Sequence, residues 1–157
     1  MKGAPMQGRQ RLAIIVLLVL VAAIAVGGTA KAVGSAETGG RPFSTTLTGA
    51  AEVPGPADPD GSGTATLTVN PGLGQICYAL TVSGIAPATA AHIHVGAANV
   101  AGPVVVPLAP PTGGSSSACV SVDRALALAI VAQPSDYYVN VHNAEFPAGA
   151  LRGQLSR

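Results

Sequence analysis

The chain contains three histidines, and all of them fall in two short stretches of alternating pattern: His92 and His94 within Ala91-His92-Ile93-His94-Val95, and His142 within Val139-Asn140-Val141-His142. Side chains alternate between the two faces of a β-strand, so an H-x-H pair on a strand places both imidazoles on one face. If Ala91, Ile93 and Val95 take the apolar face of one strand and Val139 and Val141 that of another, His92, His94 and His142 remain together on the opposite face, away from the core, alongside Tyr138 and Asn140. On neighbouring strands these three imidazoles could converge on one ion, with Glu145 within chain reach as a fourth ligand. Nitrogen-rich ligand sets of this kind suit copper or zinc, and the histidine count limits the chain to one mononuclear site. The plainer reading of the same residues is as hydrogen-bonding side chains that pin loops or pair with Asn140 and backbone carbonyls. Both readings stand at this level.

Other constellations carry less chemistry. Asp58-Pro59-Asp60-Gly61 begins like a calcium loop but has no glutamate at the required distance, and Asp-Gly beside proline is an ordinary turn. Gly72-Leu73-Gly74 lacks the third glycine and following helix of a dinucleotide site, which also leaves a turn. Arg152 is expected to form a structural ion pair with Glu52 or Glu145, with anion recognition as its other use. No Ser, Cys or carboxylate pair has the spacing of a nucleophile with its base or of a glycosidase, so no catalytic residue is assigned. Cys77 and Cys119 are the only cysteines, and in an exported chain an even pair predicts a disulfide.

The elements that must position these residues are short strands with period-two alternation, separated by Gly, Pro, Asn and Asp. Thr64–Val69 points Ala65, Leu67 and Val69 inward and three threonines outward, and Asn70-Pro71-Gly72 then turns the chain into a strand over Gln75–Ser83. That strand sends Ile76, Tyr78, Leu80 and Val82 to the core and Cys77, Ala79, Thr81 and Ser83 to the other face. Cys119 also falls on a non-core face, which predicts a cross-strand disulfide within one sheet. Further strands are expected at Ser44–Ala50, Ala91–Val95, Val104–Leu108, Ser117–Val122, Asp136–Asn143 and Ala150–Leu155, and a short helix at Arg124–Ala132 that Pro134 stops. About eight antiparallel strands with one helix predict an all-β sandwich of Ig-like, Greek-key style.

The N-terminus sets the compartment. Lys2, Arg9 and Arg11 precede an apolar run from Leu12 to Val26, and Ala30-Lys31-Ala32 fits the small-residue rule of signal peptidase. Residues 1–32 therefore read as a signal peptide with cleavage before Val33, 33–42 as a flexible leader, and 43–157 as one domain. Retained uncleaved, the same segment would tether the protein to a membrane. Removing residues 1–32 leaves four arginines against seven carboxylates, a net charge of −3, with no lysine, no tryptophan and five aromatic residues. Nucleic-acid binding is excluded by that balance.

Four ordered stretches carry a family resemblance. They are Leu47-Thr48-Gly49-Ala50-Ala51-Glu52-Val53-Pro54; Ala90-Ala91-His92-Ile93-His94-Val95-Gly96; Gly102-Pro103-Val104-Val105; and Tyr137 to Leu155, containing Tyr137-Tyr138-Val139-Asn140-Val141-His142-Asn143, Phe146-Pro147-Ala148-Gly149 and Leu151-Arg152-Gly153-Gln154-Leu155. Together they resemble the CHRD domain, the module named from chordin and also found in many exported bacterial proteins. The resemblance implies an extracellular β-sandwich that binds an extracellular or surface partner and brings no catalytic mechanism with it. Many members carry an acidic residue where this chain has Ala150, so an ion pair from that position to Arg152 is not available here.

Overall fold

The computed structural model describes residues 39–157. The signal peptide and most of the leader expected from the sequence lie outside the described residues. Eight antiparallel strands form one continuous sheet: β1 (Arg41–Thr48), β2 (Ser62–Asn70), β3 (Gln75–Ser83), β4 (Ala88–Val95), β5 (Val104–Leu108), β6 (Ser115–Ser121), β7 (Tyr137–Asn143) and β8 (Leu151–Gln154). Their order across the sheet is β5-β4-β7-β8-β1-β2-β3-β6. The first strand starts at Arg41, inside the stretch read as leader, because Arg41 and Pro42 pair with Val69 and Thr68 of β2. Among the described residues, no helix is long and apolar enough to cross a membrane.

The seam between β8 and β1 is narrow, with one registered pair, Thr48 opposite Arg152, and an isolated bridge from Ser44 to Ser156. It divides the sheet into two four-stranded halves. Their apolar faces share a single core, to which Leu47, Leu67, Ile76 and Leu80 come from one half and Ile93, Val106, Val139 and Leu151 from the other. The expected sandwich is therefore present as one sheet folded nearly closed on itself. The two edge strands, β5 and β6, are consecutive in sequence, and the segment between them ties the edges together. Ala109 N–H donates to the Tyr78 hydroxyl (2.7 Å), Ser116 Oγ to the Ala109 carbonyl (2.7 Å) and Thr112 Oγ1 to the Ala88 carbonyl (2.8 Å).

Local chemistry accounts for the punctuation. The β2–β3 turn is held by Leu73 N–H donating to Asn70 Oδ1 (3.0 Å), and Gly74 closes it at φ +60°, a left-handed conformation that glycine adopts without steric cost. The helix α1 (Arg124–Ala132) is capped by Asp123, whose carboxylate accepts from Ala125 N–H (2.6 Å). Its Ala127 and Ile130, three residues apart, are buried against the sheet, and Pro134 opens a 3₁₀ turn directly afterwards. Cys77 and Cys119 are direct partners in the β3–β6 ladder, bridged by a disulfide with Cα atoms 3.9 Å apart. Both point away from the core, as the alternation predicts.

Candidate functional site

On β4 and β7 the register decides which side chains meet. Ala91, Ile93 and Val95 pair with Val141, Val139 and Tyr137, while Ala90, His92 and His94 stand opposite His142, Asn140 and Tyr138. The next strand, β8, adds Arg152 beside Asn140 and Gln154 beside Tyr138. One polar face results, carrying all three histidines.

The imidazoles are in mutual contact. His92 Nδ1 lies 3.1 Å from His142 Nε2, and one potential ligand nitrogen from each histidine falls within 4.8 Å of the others. Ring centroids are 5.0 Å apart for His92–His142, 5.6 Å for His92–His94 and 6.3 Å for His94–His142. Backbone carbonyls orient two of the rings: His94 Nδ1 donates to Gly102 O (2.8 Å) and His142 Nδ1 to Pro147 O (3.1 Å). His94 Nε2 is buried and has no hydrogen-bond partner. Burial holds all three imidazoles below the usual histidine pKa, reinforced at His92 by the charges of His142 and His94 and at His94 by that of Arg152, so the neutral form is favoured.

This face departs from the sequence expectation in one respect. It lies opposite the core, yet it is covered: Asn140 is 2% exposed, Tyr138 2% and His94 9%. The segment between β4 and β5 folds over it. Val95 N–H donates to Pro103 O (3.1 Å) and Gly102 N–H to the Tyr138 hydroxyl (3.1 Å). Arg152 then fastens the segment from beneath, donating from Nη1 to Val100 O (3.0 Å) and from Nη2 to Ala97 O (2.9 Å), while Gln154 Nε2 donates to Gly96 O (2.8 Å). The guanidinium carbon sits 3.4 Å from the Tyr138 ring centroid, and that ring stacks on His94 at 4.8 Å with an interplanar angle of 11°.

Several expected partners differ. Arg152 forms no ion pair with Glu52 or Glu145 and is satisfied by the two carbonyls and Gln154 Oε1 (3.3 Å), because its head is enclosed beneath the 96–103 segment, which presents oxygens. Glu145 is exposed on the turn after β7 and stays outside the histidine cluster. Asn140 bonds no histidine; its Nδ2 donates to Glu52 Oε2 (2.7 Å). Glu52 is itself buried and accepts from Val53 N–H (3.0 Å), and its burial raises the carboxyl pKa despite the nearby Arg152 charge. A Cβ on Gly149 would collide with that carboxylate, so the tight turn before β8 fits only glycine. Asp58 makes an Asx turn, accepting from Asp60 N–H (3.2 Å), in keeping with the turn reading of that stretch.

The clustered residues come from stretches far apart in the chain: Glu52, His92 and His94, Gly102, Tyr138 to His142, Pro147, and Arg152 with Gln154. Comparison with protein families matches residues 43–155 to the CHRD domain. The chain belongs to the CHRD-domain family. Neither curated proteins nor solved structures give a match. Within this CHRD domain, the stretches by which the sequence resembles the family meet on the histidine face.

Proposed function

We propose that this CHRD domain is a secreted or surface-held, non-enzymatic binding module whose recognition surface is the histidine face and the 96–103 segment covering it. One observation carries the reading: side chains from motifs as distant as Glu52 and Gln154 are spent on building this one covered polar face, in addition to the shared apolar core. Holding a loop rigid on a stiff sheet is how folds present a binding surface without catalytic groups. The Cys77–Cys119 bridge supports placement outside the cytoplasm, since disulfides persist in oxidising compartments. Proximity labelling on intact producing cells tests both parts. The tagged protein should label surface or extracellular partners, and replacing Val100, which is exposed on the covering segment, with glutamate should reduce that labelling. Recovery of the protein in the cytosol with both thiols free would overturn the proposal.

A second reading is favoured by the three converging imidazoles: a mononuclear copper- or zinc-binding protein using His92, His94 and His142.

A further inference from the structure

The hydrogen bonds around the cluster say more than that three histidines are close, because they fix which nitrogen of each ring is free. His94 Nδ1 and His142 Nδ1 each face a backbone carbonyl, and a carbonyl can only accept, so both rings carry their proton on Nδ1. Their Nε2 atoms are left with lone pairs. His142 Nε2 uses its lone pair to accept from His92 Nδ1, which places the proton of His92 on Nδ1. His94 Nε2 has no partner at all and is buried, in a residue only 9% exposed. An unsatisfied buried acceptor is destabilising, and an ion would relieve it.

Resting on the metal-binding reading, we infer that His94 Nε2, His142 Nε2 and His92 Nδ1 are the donors of one copper or zinc ion, the first two preset by the Gly102 and Pro147 carbonyls and the third freed by a tautomer exchange at His92. The exchange balances without net proton release. The Nδ1 proton of His92 moves by way of solvent to its own Nε2, the hydrogen bond to His142 breaks, and each of the two lone pairs so exposed turns to the ion. Carbonyls that hold the far nitrogen of a ligating imidazole are the usual outer partners of such sites. Bonds of about 2.0–2.1 Å in a tetrahedral arrangement place donors roughly 3.3 Å apart. One nitrogen of each ring already lies within 4.8 Å of the others, so the rings are close enough for side-chain rotation to gather them on one ion. The donor set is neutral, Arg152 stands close by, and no carboxylate joins it. Ions bound chiefly by charge, magnesium and calcium, are therefore disfavoured against copper and zinc. His92 and His142 are only partly buried, which leaves the fourth position reachable by water.

The test uses the full chain isotopically labelled on histidine, titrated separately with Zn(II), with Cu(I) under reductant, and with Mg(II), each against a chelator competitor. The expected result is one equivalent of zinc or copper bound and no magnesium. Imidazole nitrogen NMR of the zinc or Cu(I) form should show His94 and His142 keeping Nδ1–H while His92 changes from Nδ1–H to Nε2–H. His94→Ala and His142→Ala should each weaken binding by more than about 100-fold, beyond the 10–100-fold typical of outer-partner losses. No zinc or copper binding, or binding indifferent to all three histidines, overturns the metal reading itself. Tight histidine-dependent binding with His92 still protonated on Nδ1 overturns the donor assignment alone. The tautomer measurement is made on the unsubstituted protein, so it stands even if a histidine variant fails to fold.

Discussion

Replacing Arg152 with methionine keeps an unbranched apolar stem and removes the guanidinium head. The Ala97 and Val100 carbonyls then lose their donors, at 2.9 and 3.0 Å, and Tyr138 loses the cation over its ring. Hydrogen bonds from a charged donor contribute about 1.5–3 kcal/mol each, so the two carbonyl bonds represent roughly 3–6 kcal/mol before compensation. Opposing this is the cost of burying a guanidinium that is 1% exposed and has no carboxylate partner, which the substitution relieves. Most side chains of the 96–103 segment are exposed, so water can recover part of the carbonyl loss. We expect a net destabilisation of about 3 kcal/mol, which for a domain of roughly 120 residues lowers Tm by about 12 °C. Urea and thermal unfolding would measure it, and amide hydrogen exchange should show faster opening of residues 96–103 than of β2 and β3. A variant as stable as the parent, with the loop still protected, would refute the reasoning: desolvation relief would then outweigh the carbonyl bonds.

Removing the bridge with Cys77→Ser and Cys119→Ser together should destabilise by about 4 kcal/mol, because the cysteines are 42 residues apart in sequence and the loop they close is long; an unchanged urea midpoint would contradict this. Stability should also depend on pH through the histidines. Their folded pKa values lie below the unfolded value of 6.5, so their contribution is complete above pH 6.5 and is lost as pH falls toward the folded values; a thermal melt that does not change between pH 7 and the mildly acidic range would contradict it. Glu52 has the opposite sign. Its folded pKa is raised above 4.5, so its contribution is present below pH 4.5 and lost as pH rises through the folded value, and Glu52→Gln should remove that decline; melts across this range with the parent's slope would show that another group is responsible.

The strands were legible in the sequence wherever one face is apolar and the other meets water. Alternation in Gln75–Ser83 gives that strand's two faces and both its ends, and the capped Arg124–Ala132 helix is equally plain because Pro134 and its apolar spacing mark it. The parity argument also brings His92, His94 and His142 to one face of neighbouring strands, where the structure has them. Alternation fails to tell whether the second face of a strand is open or covered. In β7 six of seven residues are buried, apolar and polar alike, since a segment from elsewhere in the chain lies over the polar side. That covering depends on Arg152 reaching carbonyls more than 50 residues away, and backbone acceptors leave no trace in residue types. The burial of Glu52 escapes notice for the same reason: its partner Asn140 is 88 residues distant.

The edge strand β6 has a sequence of serines and small residues, Ser-Ser-Ser-Ala-Cys-Val-Ser, and none of its residues is fully buried. Hydrophobic alternation therefore does little to choose its alignment on β3, and a strand without such a preference is free to slide. A slip by two residues keeps every side chain on its own face but moves Cys119 from Cys77 to a position opposite Ala79 or Gln75, where no bridge can form. The disulfide thus admits one alignment of β6 on β3. Without it, β6 can detach and leave the hydrogen-bonding edge of β3 open, a template on which a second chain could pair. The bridge therefore locks the register of the edge strand as well as restricting the unfolded chain.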